Sequence, residues 1–219
     1  VRQTYAAELE QLRLQVEVMG VRVDQNLERM REVLRTGDER MAGLGVNADD
    51  DIDAMNVSLT ERCYDLMRRE QPVASDLRFI VSVVRMLAEL ERVGDLALRV
   101  LKLAPRQPLL ASNRSTHDIL TSMADQTIDL YRTALRAWAS EDLALATELV
   151  AGAPSMAVYR EQLTTELLRL SGPDAVPLAL ATNAAAQALD RIADHASIMG
   201  ARLRYMITGD PDHLAAEVR

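Results

Sequence analysis

Two versions of one acidic phrase stand in this chain: Leu90-Glu91-Arg92-Val93-Gly94-Asp95-Leu96-Ala97 and, 99 positions later, Leu189-Asp190-Arg191-Ile192-Ala193-Asp194-His195-Ala196. Each sets two carboxylates four residues apart, Glu91 with Asp95 and Asp190 with Asp194. On a helix, that spacing puts both on one face about a turn apart. There they repel by roughly 0.2–0.5 kcal/mol when solvated, and by more when buried. Such a conflict is either neutralised by basic partners or used to hold a cation. His195 directly follows Asp194, but adjacent helical residues diverge by about 100°, so a packing or surface role is expected for it.

The elements that must carry these pairs are helices. Leu, Ala, Met, Glu and Arg are abundant and aromatics make up only 3% of the chain, a mixture that favours helix over sheet. Apolar residues recur at steps of three and four from Leu9 to Leu34, predicting a first helix from about Tyr5 to Arg35. A second is expected from after Asp38 to about Glu70, weakest where Gly43, Gly45 and Asp49-Asp50-Asp51 fall. A third runs from near Pro72 to about Ala104, where Pro105 and Pro108 stop it. The second half retraces this plan: about Ser112 to Ala139, Ser140 to Leu170 and Pro173 to Thr208, with a kink or break threatened at Gly152-Ala153-Pro154. Met19 precedes Asp38 by 19 positions and Met123 precedes Asp142 by the same 19. The expected fold is all-α: two tandem, elongated, antiparallel three-helix bundles, over residues 1–105 and 106–209, with a tail at 210–219.

Within the third helix, Leu77, Val81, Val84, Ala88, Glu91, Asp95 and Leu98 form one stripe, so Glu91 and Asp95 occupy otherwise apolar slots. A second stripe, Val83, Leu87, Leu90, Gly94, Ala97 and Leu101, runs beside it. Two carboxylates on so wide a packing surface are expected to be partly desolvated and to need a proton, a basic partner or a metal. The matching stripe of the sixth helix is polar through its middle.

The rest of the composition narrows the function. With a net charge of −8 and no basic block, a surface that tracks nucleic-acid phosphates is not expected. Cys63 is the single cysteine, which excludes an internal disulfide and a Cys-based zinc cluster and suits a small core residue. No apolar run approaches the roughly 20 residues of a membrane span, and Val1-Arg2-Gln3-Thr4 has no leader core, so a cytoplasmic location is expected. No histidine has Glu three positions before it, as a ferritin-like di-iron site needs, and no Gly-x-Ser-x-Gly turn exists. Neither of these two enzyme classes is therefore expected. The remaining readings include a structural helical scaffold or a metal-binding protein. The repeat and the breaker-limited helices argue against a long continuous rod.

The run Gln71-Pro72-Val73-Ala74-Ser75-Asp76-Leu77-Arg78, followed by Leu90-Glu91-Arg92-Val93-Gly94-Asp95, resembles the PhoU family of phosphate-regulatory proteins. The second acidic phrase and Met19-Gly20 resemble it too, so the likeness covers about residues 3 to 209. It implies a non-enzymatic regulator that damps the phosphate-starvation response. Such a regulator contacts the ATPase subunit of a phosphate ABC transporter and a sensor histidine kinase, and a homodimer is expected. Some members bind multinuclear iron or zinc through E(D)xxxD motifs, two per half on adjacent helices.

Carried over, the later motif of each half is Glu91 with Asp95 and Asp190 with Asp194. The earlier motifs depart from the pattern: the slots expected to match hold Asn56 and Thr60 in helix two, and Ala157 and Glu161 in helix five. With half the carboxylates missing, at best a weakly bound or mononuclear divalent, iron or zinc ion is expected, with Asn56 near the first pair and Glu161 near the second. Arg92 and Arg191 are expected to pair with Glu or Asp across the bundle, a role preferred to a phosphate contact. Asp76 suits a helix first turn, and Trp138 and Tyr131 suit core or inter-bundle packing.

Overall fold

The structure, a computed structural model, describes residues 2–151 and 154–218. Among these residues it has no strand. Its helices are α1 (Arg2–Thr36), α2 (Glu39–Glu70), α3 (Ala74–Leu101), α4 (Gln107–Leu110), α5 (Arg114–Ser140), α6 (Leu143–Ala151), α7 (Pro154–Leu168) and α8 (Ala175–Thr208). Short 3-10 segments at Ala104–Arg106 and Pro211–Val218 complete it. α1, α2 and α3 form one antiparallel bundle; α5, the α6–α7 pair and α8 form the other. The expected fifth helix is described over Leu143–Ala151 and Pro154–Leu168; the kink or break expected at Gly152-Ala153-Pro154 falls on Gly152 and Ala153, outside the described residues.

The helix starts follow side-chain chemistry that the two halves share. Asp38 Oδ1 accepts from the backbone N–H groups of Arg40 and Met41 at 2.9 and 3.1 Å. Asp142 Oδ1 does the same for Ala144 and Leu145 at 2.8 and 3.0 Å. Each cap satisfies orphan donors of a first turn. Met19 and Met123, each 19 residues upstream, are fully buried, so the register read from the sequence is a structural repeat. Pro72 stands outside α3, contrary to expectation. Gln71 takes a left-handed conformation (φ 47°) that ends α2, and the chain passes through extended Val73 before α3 begins at Ala74. The stretch through Gly43, Gly45 and Asp49-Asp50-Asp51 is continuous helix.

The bundles lie side by side, α1 against α5 and α3 against α8, around one continuous core. Gly20 lets α1 and α5 close: a Cβ there would come within 2.5 Å of the Leu135 side chain. Its carbonyl accepts the buried Tyr131 hydroxyl at 2.9 Å. Arg132 on α5 pairs with Asp24 at 2.8 Å and with Glu28. Trp138 is buried and stacks on Phe79 of the other half with ring centroids 6.3 Å apart. Cys63 is fully buried and its thiol is pushed up to about 11 by burial, which leaves it an inert core residue.

Candidate functional site

Of the two α3 stripes, the buried one is Val83, Leu87, Leu90, Gly94, Ala97 and Leu101. The stripe carrying the acidic pair is its rim. Leu77 and Val81 are exposed, Glu91 is half-buried and Asp95 is exposed. The rim faces α2, and what α2 offers is a second pair at the same spacing, Asp49 and Asp53.

Several observations bring these four carboxylates together. Asp49 is buried and lies directly over Gly94, whose absent side chain leaves room: a Cβ there would sit 3.4 Å from Asp49 Oδ1. Glu91 is held above the ordinary carboxylate range, first by burial, then by the charges of Asp95 and Asp53, against the pull of Arg92. Asp49 is raised likewise by burial, then by Asp53, Asp95 and Asp50, with Lys102 opposing. α2 and α3 run antiparallel, so Asp49 is level with Asp95 and Asp53 with Glu91. Asn56 and Thr60 then lie level with Ala88 and Val84, about 10 Å further along the bundle. The expected Asn56–Thr60 partnership is thus out by two helical turns, and the carboxylates that face Glu91 and Asp95 are Asp53 and Asp49. One further contact fixes this end of α2: the buried Asn26 donates to Gly45 O at 3.2 Å.

The second half is built differently. Asp190 is mostly buried, and its Oδ2 takes a 2.8 Å ion pair from Arg160 Nη1 on α7. Asp194 is raised by partial burial and by Asp190, and lowered by Arg160, His195 and Arg191. The apolar Leu130, Leu149 and Met156 lie beside the pair around a cavity of only about 30 Å³, while Asp194 itself stays exposed. Glu161 was expected here. It lies instead along a groove beside Ser115 and Asp118 of α5, because one residue's step around α7 turns it away from the face that Arg160 uses. Ala157 is exposed. Where α2 presents Asp53 and Asp49, α7 presents Arg160 and Met156.

The donor sets therefore differ in what they fit. Asp49, Asp53, Glu91 and Asp95 are hard oxygen donors along one seam, with Arg92 and Lys102 only partly offsetting their charge, and their donor type is the one a divalent cation takes. They stand along the seam rather than around one point: among the described residues, no three His, Cys, Asp or Glu side chains converge tightly enough to hold a metal ion as they stand. Asp190 and Asp194 do not fit one, since a guanidinium already occupies their inner face.

His195 sits at neither pair. It is buried between the halves, and its Nδ1 meets Glu89 Oε2 at 2.5 Å; Glu89 Oε1 accepts from Arg92 at 3.0 Å. Arg92 thus pairs within its own helix rather than across the bundle, and among the described residues Arg191 makes no close ion pair. Sequence reasoning did not find Glu89, whose single position inside an apolar stripe gives no spacing signal.

Three comparisons bear on the family. A family model, the PhoU domain, matches residues 16–104. The Pseudomonas aeruginosa phosphate-specific transport system accessory protein PhoU homolog is 30% identical over 95% of this chain and 87% of its own length. The Serratia marcescens phosphate-specific transport system accessory protein PhoU is 28% identical over 97% of this chain and 88% of that protein. The crystal structure of PhoU from P. aeruginosa superposes with a TM-score of 0.88, at 27% identity, over 94% of this chain and all of that one.

Proposed function

The chain belongs to the PhoU family, and from that premise we propose that it is a non-enzymatic regulator of phosphate uptake and of the phosphate-starvation response. In this reading it is an adaptor, working at the cytoplasmic face between the ATPase subunit of a phosphate ABC transporter and a sensor histidine kinase. The carrying observation is the 30% identity to a phosphate-transport accessory protein over nearly the whole of both chains. Among the described residues, none of the helices is long and apolar enough to cross a membrane. Self-association as a homodimer belongs to the same reading.

Asp49, Asp53, Glu91 and Asp95 are the residues that would hold a divalent, iron or zinc ion. Such an ion, when bound, neutralises the seam and ties α2 to α3. The protein's own part is to hold the carboxylates close. Gly94 admits Asp49, and burial raises the cost of leaving Glu91 and Asp49 uncompensated.

Deleting the protein in phosphate-replete cells should raise phosphate-starvation gene expression, and the ATPase subunit should co-purify with it in mild salt. Unchanged expression in a strain with no second family member, together with no co-purification, would remove the adaptor reading.

A further inference from the structure

The seam between α3 and α8 holds a second chemistry, opposite in sign to the acidic pairs. Arg92, Arg99, Arg191 and His195 line one depression of about 200 Å³, with Asp95 at its edge. Arg92 and Arg99 are two turns apart on one face of α3; Arg191 and His195 are one turn apart on α8. In a chain of net charge −8, three guanidiniums drawn into one small hollow repel one another unless an anion joins them. Buried Glu89 answers part of this, accepting from Arg92 and His195. Among the described residues, Arg99 and Arg191 make no hydrogen bond and no close ion pair; the charge of Arg191 lowers Asp194.

We propose that this hollow binds inorganic phosphate, held by Arg92, Arg99, Arg191 and His195 and selected over other oxyanions by Asp95. Guanidinium forks match the geometry of a phosphate's oxygens. Glu89 acts as a positioning residue: its buried carboxylate fixes the Arg92 guanidinium and the His195 ring, whose Nδ1 is engaged, leaving Nε2 as the ring's remaining polar atom. Asp95 supplies the discrimination. An ionised carboxylate repels a fully deprotonated oxyanion but accepts a hydrogen bond from one that keeps a proton. Inorganic phosphate retains at least one P–OH at neutral pH. Sulfate has none, and a phosphate monoester has mostly lost its own at about pH 8, above its second pKa of about 6. The chemistry of the hollow stands without the transporter link; only its meaning as a phosphate sensor rests on the function proposed above.

Binding is measured on the full chain, in chelator, at about pH 8, by titration calorimetry and phosphorus NMR line broadening. The ligands are inorganic phosphate, sulfate and methyl phosphate. Phosphate should bind at least about tenfold more tightly than either competitor. Arg99→Ala and Arg191→Ala, both at exposed positions, should each weaken phosphate by about tenfold or more while leaving the helical circular dichroism intact. Asp95→Asn should narrow the preference over sulfate. Arg85→Ala, on α3 outside the hollow, should change nothing. Absence of phosphate binding, sulfate bound as tightly as phosphate, or an equal loss at Arg85 would overturn the assignment. None of these results bears on whether deletion derepresses the starvation genes, so the two readings fail separately.

Discussion

The two halves carry the same acidic spacing and answer it in opposite ways. In the first, Glu91 and Asp95 look across at Asp49 and Asp53, and repulsion is left standing with Arg92 and Lys102 only partly offsetting it. In the second, Asp190 looks across at Arg160, 2.8 Å away, and apolar side chains lie beside the pair. A tandem repeat can thus keep its helices, caps and register while leaving one seam with facing carboxylates and giving the other an ion pair. The identity of the facing helix, not the motif itself, decides which it becomes.

The largest contrast is expected under metal. A saturating divalent ion, at about a hundred times its dissociation constant, stabilises by about 2.7 kcal/mol, or roughly 5–10 °C in Tm for a chain of this size. Thermal unfolding should show that shift in the wild type and in Asp190→Asn, and lose it in Asp49→Asn and Glu91→Gln. An equal loss in Asp190→Asn would erase the distinction between the halves.

The glycines on the two seams come next. A Cβ at Gly200 would meet the Ala146 carbonyl oxygen at 2.9 Å and Leu149 Cβ at 3.0 Å, so Gly200→Ala should cost about 1–3 kcal/mol through overpacking. At Gly94 the nearest atom is a side-chain oxygen at 3.4 Å. There the helical gain of Ala offsets a slight push on Asp49, and denaturant titration should find Gly94→Ala within about 1 kcal/mol of wild type.

Arg160→Met should destabilise by about 1–2 kcal/mol, between the values for exposed and buried pairs, because Asp190 keeps its burial and loses its cation. Adding Asp190→Asn should recover part of that loss, and a double-mutant cycle with no coupling would mean that the pair stabilises nothing.

The smallest effect is Glu91→Gln in chelated protein, a stabilisation of about 1 kcal/mol or less at neutral pH. Its folded-state pKa is raised, so the folded protein binds the extra proton. Stability is full below the ordinary carboxylate pKa of about 4 and is lost as pH rises through the raised value. The gain from the substitution should therefore appear only above that window and vanish below it. A gain independent of pH would point to packing instead.

Much of this was legible in the sequence because it is local. Breakers at Gly37, Pro105 and Gly172, caps at Asp38 and Asp142, and apolar steps of three and four describe six helix positions and their repeat without reference to any distant residue. What local signals do not carry is the offset between antiparallel neighbours. Asp49 and Asp53 have the same four-residue spacing as Glu91 and Asp95, yet they lie in an acidic run that weakens helix propensity, and the partner slot was read two turns too late, at Asn56 and Thr60. Tertiary packing, with Gly94 opposite Asp49 and Gly45 opposite Leu101, sets that offset. Arg160 was passed over for Glu161 for a related reason: which of two adjacent residues on α7 faces α8 depends on how α7 is rotated against α8. The pairing of His195 with Glu89 depends on how one bundle lies on the other, which neither helix encodes alone.

Crystals grown with a manganese or zinc salt, with anomalous scattering recorded at the metal edge, test the division of labour between the halves most directly. A peak between α2 and α3, among Asp49, Asp53, Glu91 and Asp95, with none beside Asp190 and Asp194, is the expected map. A peak at Asp190 and Asp194 with Arg160 displaced, or an empty α2–α3 seam at saturating metal, would contradict it.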